Sequence, residues 1–166
     1  MFNSGILTIS DKGWQGERYD ESGKVIRDRL SLLNSHIVKY EVIPDEGDVI
    51  ASKLAEWADG GSVDVILTTG GTGLGSRDVT PEATLSILDK VVPGFGEAMR
   101  AATFSITPFA ILSRAVAGVR GRCLIINLPG SPKAVQECLR VILPAISHAV
   151  EIIKGEVTEH KDTGRD

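Results

Sequence analysis

Residues 63–69, VDVILTT, form a nearly unbroken apolar run that stops at a cluster of glycines, Gly70, Gly71, Gly73 and Gly75. A continuous apolar run of this kind suits a strand in a sheet covered on both faces, which implies parallel pairing and helices on either side. A glycine cluster weakens a structure unless the backbone needs room or an unusual conformation there. These four residues therefore have to be making room for something.

The remainder of the chain keeps the alternation that such a sheet demands. "FNSGILTIS" reads as a short buried strand, followed by a polar, glycine-containing loop over 11–23 and a helix over 24–33 with Val25, Ile26, Leu30 and Leu33 at helical spacing. Residues 36–44 alternate as a second strand that Pro44 ends, and 48–59 carry Ile50, Leu54 and Trp57 at i, i+4 and i+7, a helix with Asp48 as N-cap. After the glycines, Thr80-Pro81-Glu82 reads as N-cap, first-position proline and first-turn acid of a helix running to Lys90, and another helix covers 94–104. Residues 114–128 look like two strands joined at Arg120-Gly121, a hairpin. Ser131-Pro132 starts a helix that Pro144 breaks, and 145–154 continue to a Gly155 C-cap. The expectation is one α/β domain over 1–155 with a parallel or mostly parallel sheet, and a disordered tail over 156–166, where Val157 is the single apolar residue.

Eighteen basic against 22 acidic residues leave a formal charge of -4, which argues against broad electrostatic binding to nucleic acid or anionic lipid. With no long uncharged apolar run and no basic n-region at its start, the chain reads as soluble and cytoplasmic, without a membrane partner. Cys123 and Cys138 sit among apolar neighbours and read as buried structural thiols, while His36, His148 and His160 lie too far apart in sequence to suggest a metal site or triad.

In an open α/β sheet, ligands bind beyond the carboxyl ends of the strands, where TTGGTGLGSRD falls. Glycine lets backbone N–H groups wrap an anion, and the hydroxyls of Thr68, Thr69, Thr72 and Ser76 are further candidate donors. The competing reading is a glycine turn of purely structural use. NLPGSPK, residues 127–133, repeats the form, and Lys133 in a first helical turn opposes the dipole, which makes sense if it faces a bound anion; the competing reading is a solvated lysine on an exposed face. Asp45 and Asp78 both fall on the same carboxyl edge. Beside a phosphate they require a cation between, such as Mg²⁺; otherwise Asp45 makes a turn and Asp78 caps or pairs with Arg77.

ILTISD, IPDE, LTTGGTG with RDVTPEAT, PGFGEAMR, ITPFAILSRAVAGVRG and LIINLPGSPKAVQECL, in this order, resemble the MogA/MoaB family of molybdenum-cofactor biosynthesis, in its adenylyltransferase branch. The resemblance runs from Gly5 to Lys154 and implies a three-layer α/β/α sandwich assembled as a homotrimer. It implies Mg²⁺-dependent transfer of AMP from ATP to the terminal phosphate of molybdopterin, with a molybdenum insertase as downstream partner. Carried over by motif, Asp45 and Asp78 are the catalytic acids and metal ligands. Thr69, Gly70, Gly71, Thr72, Gly73 and Ser76 hold phosphates and pterin, with Ser10, Asp11, Glu97, Pro129, Gly130, Ser131 and Lys133 completing the pocket. The alternative within the family is a catalytically silent pterin-binding or trimeric scaffold module. On this reading Gly71→Val abolishes ligand binding and leaves a folded chain, because the side chain fills the phosphate's space.

Overall fold

The computed structural model describes residues 1–156. In chain order it contains β1 (Phe2–Ile9), α1 (Asp11–Trp14), α2 (Glu21–Leu30), β2 (Ser35–Ile43), α3 (Gly47–Asp59), β3 (Val65–Thr69) and α4 (Thr80–Leu85). These are followed by β4 (Lys90–Val91), α5 (Pro93–Phe104), a 3₁₀ turn (Pro108–Leu112), β5 (Ala117–Arg120), β6 (Cys123–Leu128) and α6 (Pro132–Lys154). The strands form a single sheet in the order β2-β1-β3-β6-β5-β4. Four neighbours, β2, β1, β3 and β6, pair in parallel, and β5 runs antiparallel to both β6 and β4.

The apolar strand runs divide between the two faces with the period of a pleated strand. Ile6, Val65, Leu67, Leu124 and Ile126 join one core beneath α2, α5 and α6, whereas Leu7, Ile66 and Ile125 join the other beneath α3 and α4. That division is why VDVILTT carries no polar alternation: both faces are covered, and the sheet is the middle layer of an α/β/α sandwich.

Several local expectations change. The 11–23 loop contains a helical turn capped by the Ser10 hydroxyl, and α2 starts at Glu21 because Asp20 accepts a hydrogen bond from the Gly23 N–H at 2.9 Å. Asp48 lies in the first turn of α3, with Glu46 at its N-cap position, and Thr80 is the first residue of α4, with Val79 at its N-cap position; neither Glu46 nor Val79 makes a side-chain capping bond. α4 ends at Leu85, not Lys90, since Lys90 pairs with Val119 in the short edge strand β4.

Pro144 does not break α6, a helix of 23 residues. Its ring points outward, while Ile142, Ile146 and Val150 stay in the core on either side, so packing outweighs one lost hydrogen bond. Pro144→Ala is expected to raise stability by about 1–3 kcal/mol, read from the urea midpoint. The helix ends at Gly155 in the left-handed region, φ 75°, as its sequence implies. Of the expected tail 156–166, residues 157–166 lie outside the described residues, as does His160. Among the described residues no helix is long and apolar enough to cross a membrane.

Both cysteines are free and buried. Burial pushes the Cys123 thiol up to about 12 and that of Cys138 up to about 11. The native protein is therefore expected to take up no maleimide at pH 7 and two equivalents once unfolded.

Candidate active site

Because β1, β2, β3 and β6 run parallel, their carboxyl ends meet along one edge of the sheet. The chain winds outward to β2 on one side of β1 and to β3 and β6 on the other, and a cavity of about 670 Å³ opens at that divide. Every parallel strand contributes to its wall: Ser10 and Gly13 follow β1, Asp45 follows β2, Gly70, Gly71 and Asp78 follow β3, and Gly130 and Ser131 follow β6. The volume is within the roughly 300–1,000 Å³ typical of small-molecule sites.

Gly70 and Gly71 have φ of 99° and 68°, conformations that L side chains rarely adopt. A Cβ on Gly70 would fall on the backbone oxygen of Ile9, and one on Gly71 would meet the Thr80 hydroxyl and lie 3.2 Å from Asp45 Oδ1. Gly73 and Gly75 leave space for the Asp78 carboxylate, whose Oδ2 would stand 2.8 and 2.9 Å from their added Cβ atoms. The Gly75 N–H donates to that oxygen at 2.9 Å. The glycines thus admit the protein's own β1 backbone and its own acids, and with them bring two carboxylates to one cavity.

Asp45 and Asp11 hold each other reciprocally: the Asp11 N–H donates to Asp45 Oδ2 at 2.9 Å, and the Asp45 N–H to Asp11 Oδ1 at 3.0 Å. Arg77 grips both oxygens of Asp11, at 3.0 Å from Nε and 2.9 Å from Nη2. That guanidinium, and then the Asp45 N–H, hold the Asp11 carboxyl below its ordinary value of 3.8. Asp45 is pushed the other way, above 3.8, first by burial and further by the charges of Asp11 and Asp78.

The consequences for stability have opposite signs. Asp11, with a lowered folded value, contributes stability above its unfolded value that is lost on acidification. Asp45, with a raised one, binds its proton more tightly in the folded state, so stability falls as pH rises through that raised value. Asp45→Asn is therefore expected to melt higher than the parent at pH 7 in the absence of ligand, and the gap should close as pH falls below 3.8. A lower melting temperature at pH 7 would contradict this account of the site's electrostatics.

The opposite wall was not legible as a site. Asp20, beyond capping α2, accepts from the Thr8 hydroxyl at 2.7 Å and from the Tyr40 hydroxyl, and with Arg18, Tyr19 and Ser22 it lines the cavity. Burial and this carboxylate push the Tyr40 hydroxyl up to about 12, and the Arg27 guanidinium lies 4.8 Å from the centre of its ring. The Ser22 hydroxyl donates to the Gly130 carbonyl at 2.6 Å, joining this wall to the turn after β6. The available signal was an Asp three residues before a glycine at a helix start, the pattern of an N-cap.

Of the residues singled out in the sequence, Ser10, Asp45, Thr69, Gly70, Gly71, Asp78, Gly130 and Ser131 line the cavity. Asp11 stands behind Asp45. Thr69 is nearly closed off from solvent, its hydroxyl donating to the Pro129 carbonyl at 2.6 Å, which ties the two strand-to-helix turns together. Thr68 is buried as well and accepts from Asn127, whose amide also donates to Thr84, anchoring α4 to the sheet. Thr72, Gly73, Ser76, Pro129, Lys133 and Glu97 do not line it. Ser76 is at the exposed tip of its loop, and Pro129 borders a smaller apolar pocket beneath α5. The Lys133 side chain is 82% exposed with its ammonium 4.0 Å from Glu137, and Glu97 is exposed on α5. Arg114, passed over in the sequence, donates to the carbonyls of Gly73 and Asp78.

Residues 5–148 match the family described as "Probable molybdopterin binding domain". The chain belongs to the molybdopterin-binding domain family. It is 47% identical over 153 residues to the molybdopterin adenylyltransferase of Helicobacter pylori, covering 91% of this chain and 87% of that protein. With the molybdopterin adenylyltransferase of Escherichia coli it shares 40% identity over 148 residues, 88% of this chain and 76% of the relative. Among solved structures, the molybdopterin biosynthesis enzyme MoaB of Thermus thermophilus superimposes with a TM-score of 0.89 at 52% identity, covering 93% of this chain and 98% of the other. The resemblance read from the motifs is thereby established, and so is the α/β sandwich of the molybdopterin-binding domain.

Proposed function

We propose that this chain is a molybdopterin adenylyltransferase that transfers AMP from ATP to the terminal phosphate of molybdopterin. A phosphate oxygen of molybdopterin attacks the α-phosphorus of ATP, the bond from that phosphorus to the bridging oxygen breaks, and pyrophosphate leaves. The observation that carries this reading is the convergence of Asp45 and Asp78 with two glycine-bearing strand-to-helix turns in one cavity, in a chain 40–47% identical to adenylyltransferases over most of its length.

Such a transfer needs alignment and charge neutralisation more than a protein nucleophile. Gly70 and Gly71 bring bare backbone to the cavity wall, and the N-terminus of α6 behind Gly130 and Ser131 presents a dipole that favours phosphate. The donor set fits Mg²⁺, since the carboxylates of Asp45 and Asp78 face one cavity and the charge of Asp78 makes Asp45 costlier to ionise. Among the described residues no group of three or more His, Cys, Asp or Glu could hold a metal unaided. Asp45 and Asp78 would thus hold Mg²⁺ jointly with substrate phosphates, the ion supplying charge neutralisation at their oxygens. Arg77, paired with Asp11, offsets part of the repulsion that this neighbouring carboxylate adds at Asp45.

A homotrimer is part of the proposal, supported by the apolar side chains Phe104, Ile106, Phe109, Ile111 and Leu112, all exposed on the single chain. Sedimentation at micromolar concentration should show a species three times the 17.7 kDa chain; a monomer alone would refute it. The product has to pass to a metal-insertion step, making the insertase the expected partner, with the cytoplasm as the expected compartment. The activity itself is tested by incubating the protein with molybdopterin, ATP and Mg²⁺. Pyrophosphate and adenylylated molybdopterin should appear in equal amounts, and a protein that binds molybdopterin without releasing pyrophosphate would be the silent module instead.

A further inference from the structure

We propose that Arg114 is a positioning residue that sets the reactive geometry of Asp78 from behind the glycine loop. This rests on the proposed adenylyl transfer. Arg114 stands between the 3₁₀ turn and β5 and does not line the cavity. Its Nε donates to the Gly73 carbonyl at 2.8 Å, its Nη2 to the Asp78 carbonyl at 2.7 Å, and its Nη1 pairs with the Glu82 carboxylate. Its own N–H donates to the Thr72 carbonyl at 2.9 Å.

Those acceptors come from the start of the loop, its end and the helix that follows it. Residues 71–79 have no helix or strand of their own. The Asp78 carboxylate is held on one side by the Gly75 N–H, and the Asp78 carbonyl is held on the other by Arg114. Local bonds from the Asp78 N–H to the Gly75 carbonyl at 3.0 Å and from the Thr80 N–H to the Gly71 carbonyl at 3.1 Å close the loop's turns, but neither ties it to the sheet beyond α4. Arg114 does, because it leads directly into β5. The role requires a planar fork with fixed, divergent donors; a lysine ammonium is a single point charge that cannot span the same carbonyls.

The test combines R114A, R114K, D78N and the double variant R114A/D78N, each first checked for folding by circular dichroism and melting. Displacement of a reacting group by about 1 Å costs on the order of a hundredfold, so R114A should lose about that factor in kcat for AMP transfer, with KM for molybdopterin within about threefold of the parent. R114K should not restore the rate. If Arg114 acts through Asp78, then introducing R114A into D78N should cost less than about threefold more. Amide exchange over residues 73–79 should rise in R114A and R114K, with the rest of the sheet unchanged. The proposal is overturned if the two losses multiply, if R114K keeps parental turnover, or if loop exchange matches the parent. Should the parent protein itself release no pyrophosphate, the transfer reading fails alone, and the exchange measurement still decides the role of Arg114.

Discussion

Asp78→Asn should abolish most AMP transfer, by about a hundredfold or more, while molybdopterin still binds. Asparagine keeps the size of the side chain and an oxygen that can accept from the Gly75 N–H, now 2.9 Å from Asp78 Oδ2, so the loop retains its shape. What disappears is the negative charge facing the cavity. A single phosphate can be bound by backbone donors and a helix terminus without a metal, whereas in-line transfer from a triphosphate requires its charge to be neutralised. If Asp78 serves only the loop, the pattern inverts: melting temperature falls and transfer per folded molecule stays within a few-fold of the parent. Melting, molybdopterin affinity and pyrophosphate release on one preparation separate the two outcomes, and an unaffected rate would move the main role to Asp45.

Gly71→Val should cost both the site and much of the fold's stability, which corrects the expectation drawn from the sequence. The new side chain meets the protein before it meets any ligand: its Cβ would fall on the Thr80 hydroxyl and 3.2 Å from Asp45 Oδ1, at a φ of 68°. A non-glycine residue in this region costs about 1–2 kcal/mol, more when β-branched. Crowding a packed position adds about 1–3 kcal/mol. A combined loss of about 3 kcal/mol lowers the melting temperature of a domain this size by about 10 °C. Molybdopterin affinity should vanish with it, because displacing Thr80 breaks its bond to the Gly70 carbonyl and shifts α4. A variant that melts with the parent would show that Thr80 and Asp45 move aside at little cost.

Much of the fold follows from local pattern. Strands that bury both faces have to be apolar throughout, strands with one open face alternate, helices that bury one face repeat at helical spacing, and these rules placed β1, β2, β3, the hairpin of β5 and β6, helices α2, α3 and α5, and both ends of α6 to within a few residues. Because consecutive parallel strands share a carboxyl edge, Asp45, Asp78 and the two glycine-bearing turns could be assigned to one edge without coordinates. The motifs, being long and specific, carried the family.

Other features rest on partners distant in the chain. The Gly71–Thr80 and Gly70–Ile9 approaches, the Asp11–Asp45 exchange and the clamp from Arg114 to Asp78 join segments up to 61 residues apart, and no periodicity encodes such contacts. The same holds for Pro144, which local rules treat as a stop: only the core on both sides, through Ile142 and Ile146, outweighs its missing N–H. Lys133 and Glu97 show the converse, since their positions in a motif say nothing of where their side chains point; that follows from the rotation of α6 and α5 against the sheet, set by the apolar faces those helices bury. Sequence alone determined the layers, their order along the chain and the edge at which chemistry can occur, because those depend on the burial of each segment. Tertiary structure alone decided which atoms meet at that edge, because that depends on the packing of segments against one another.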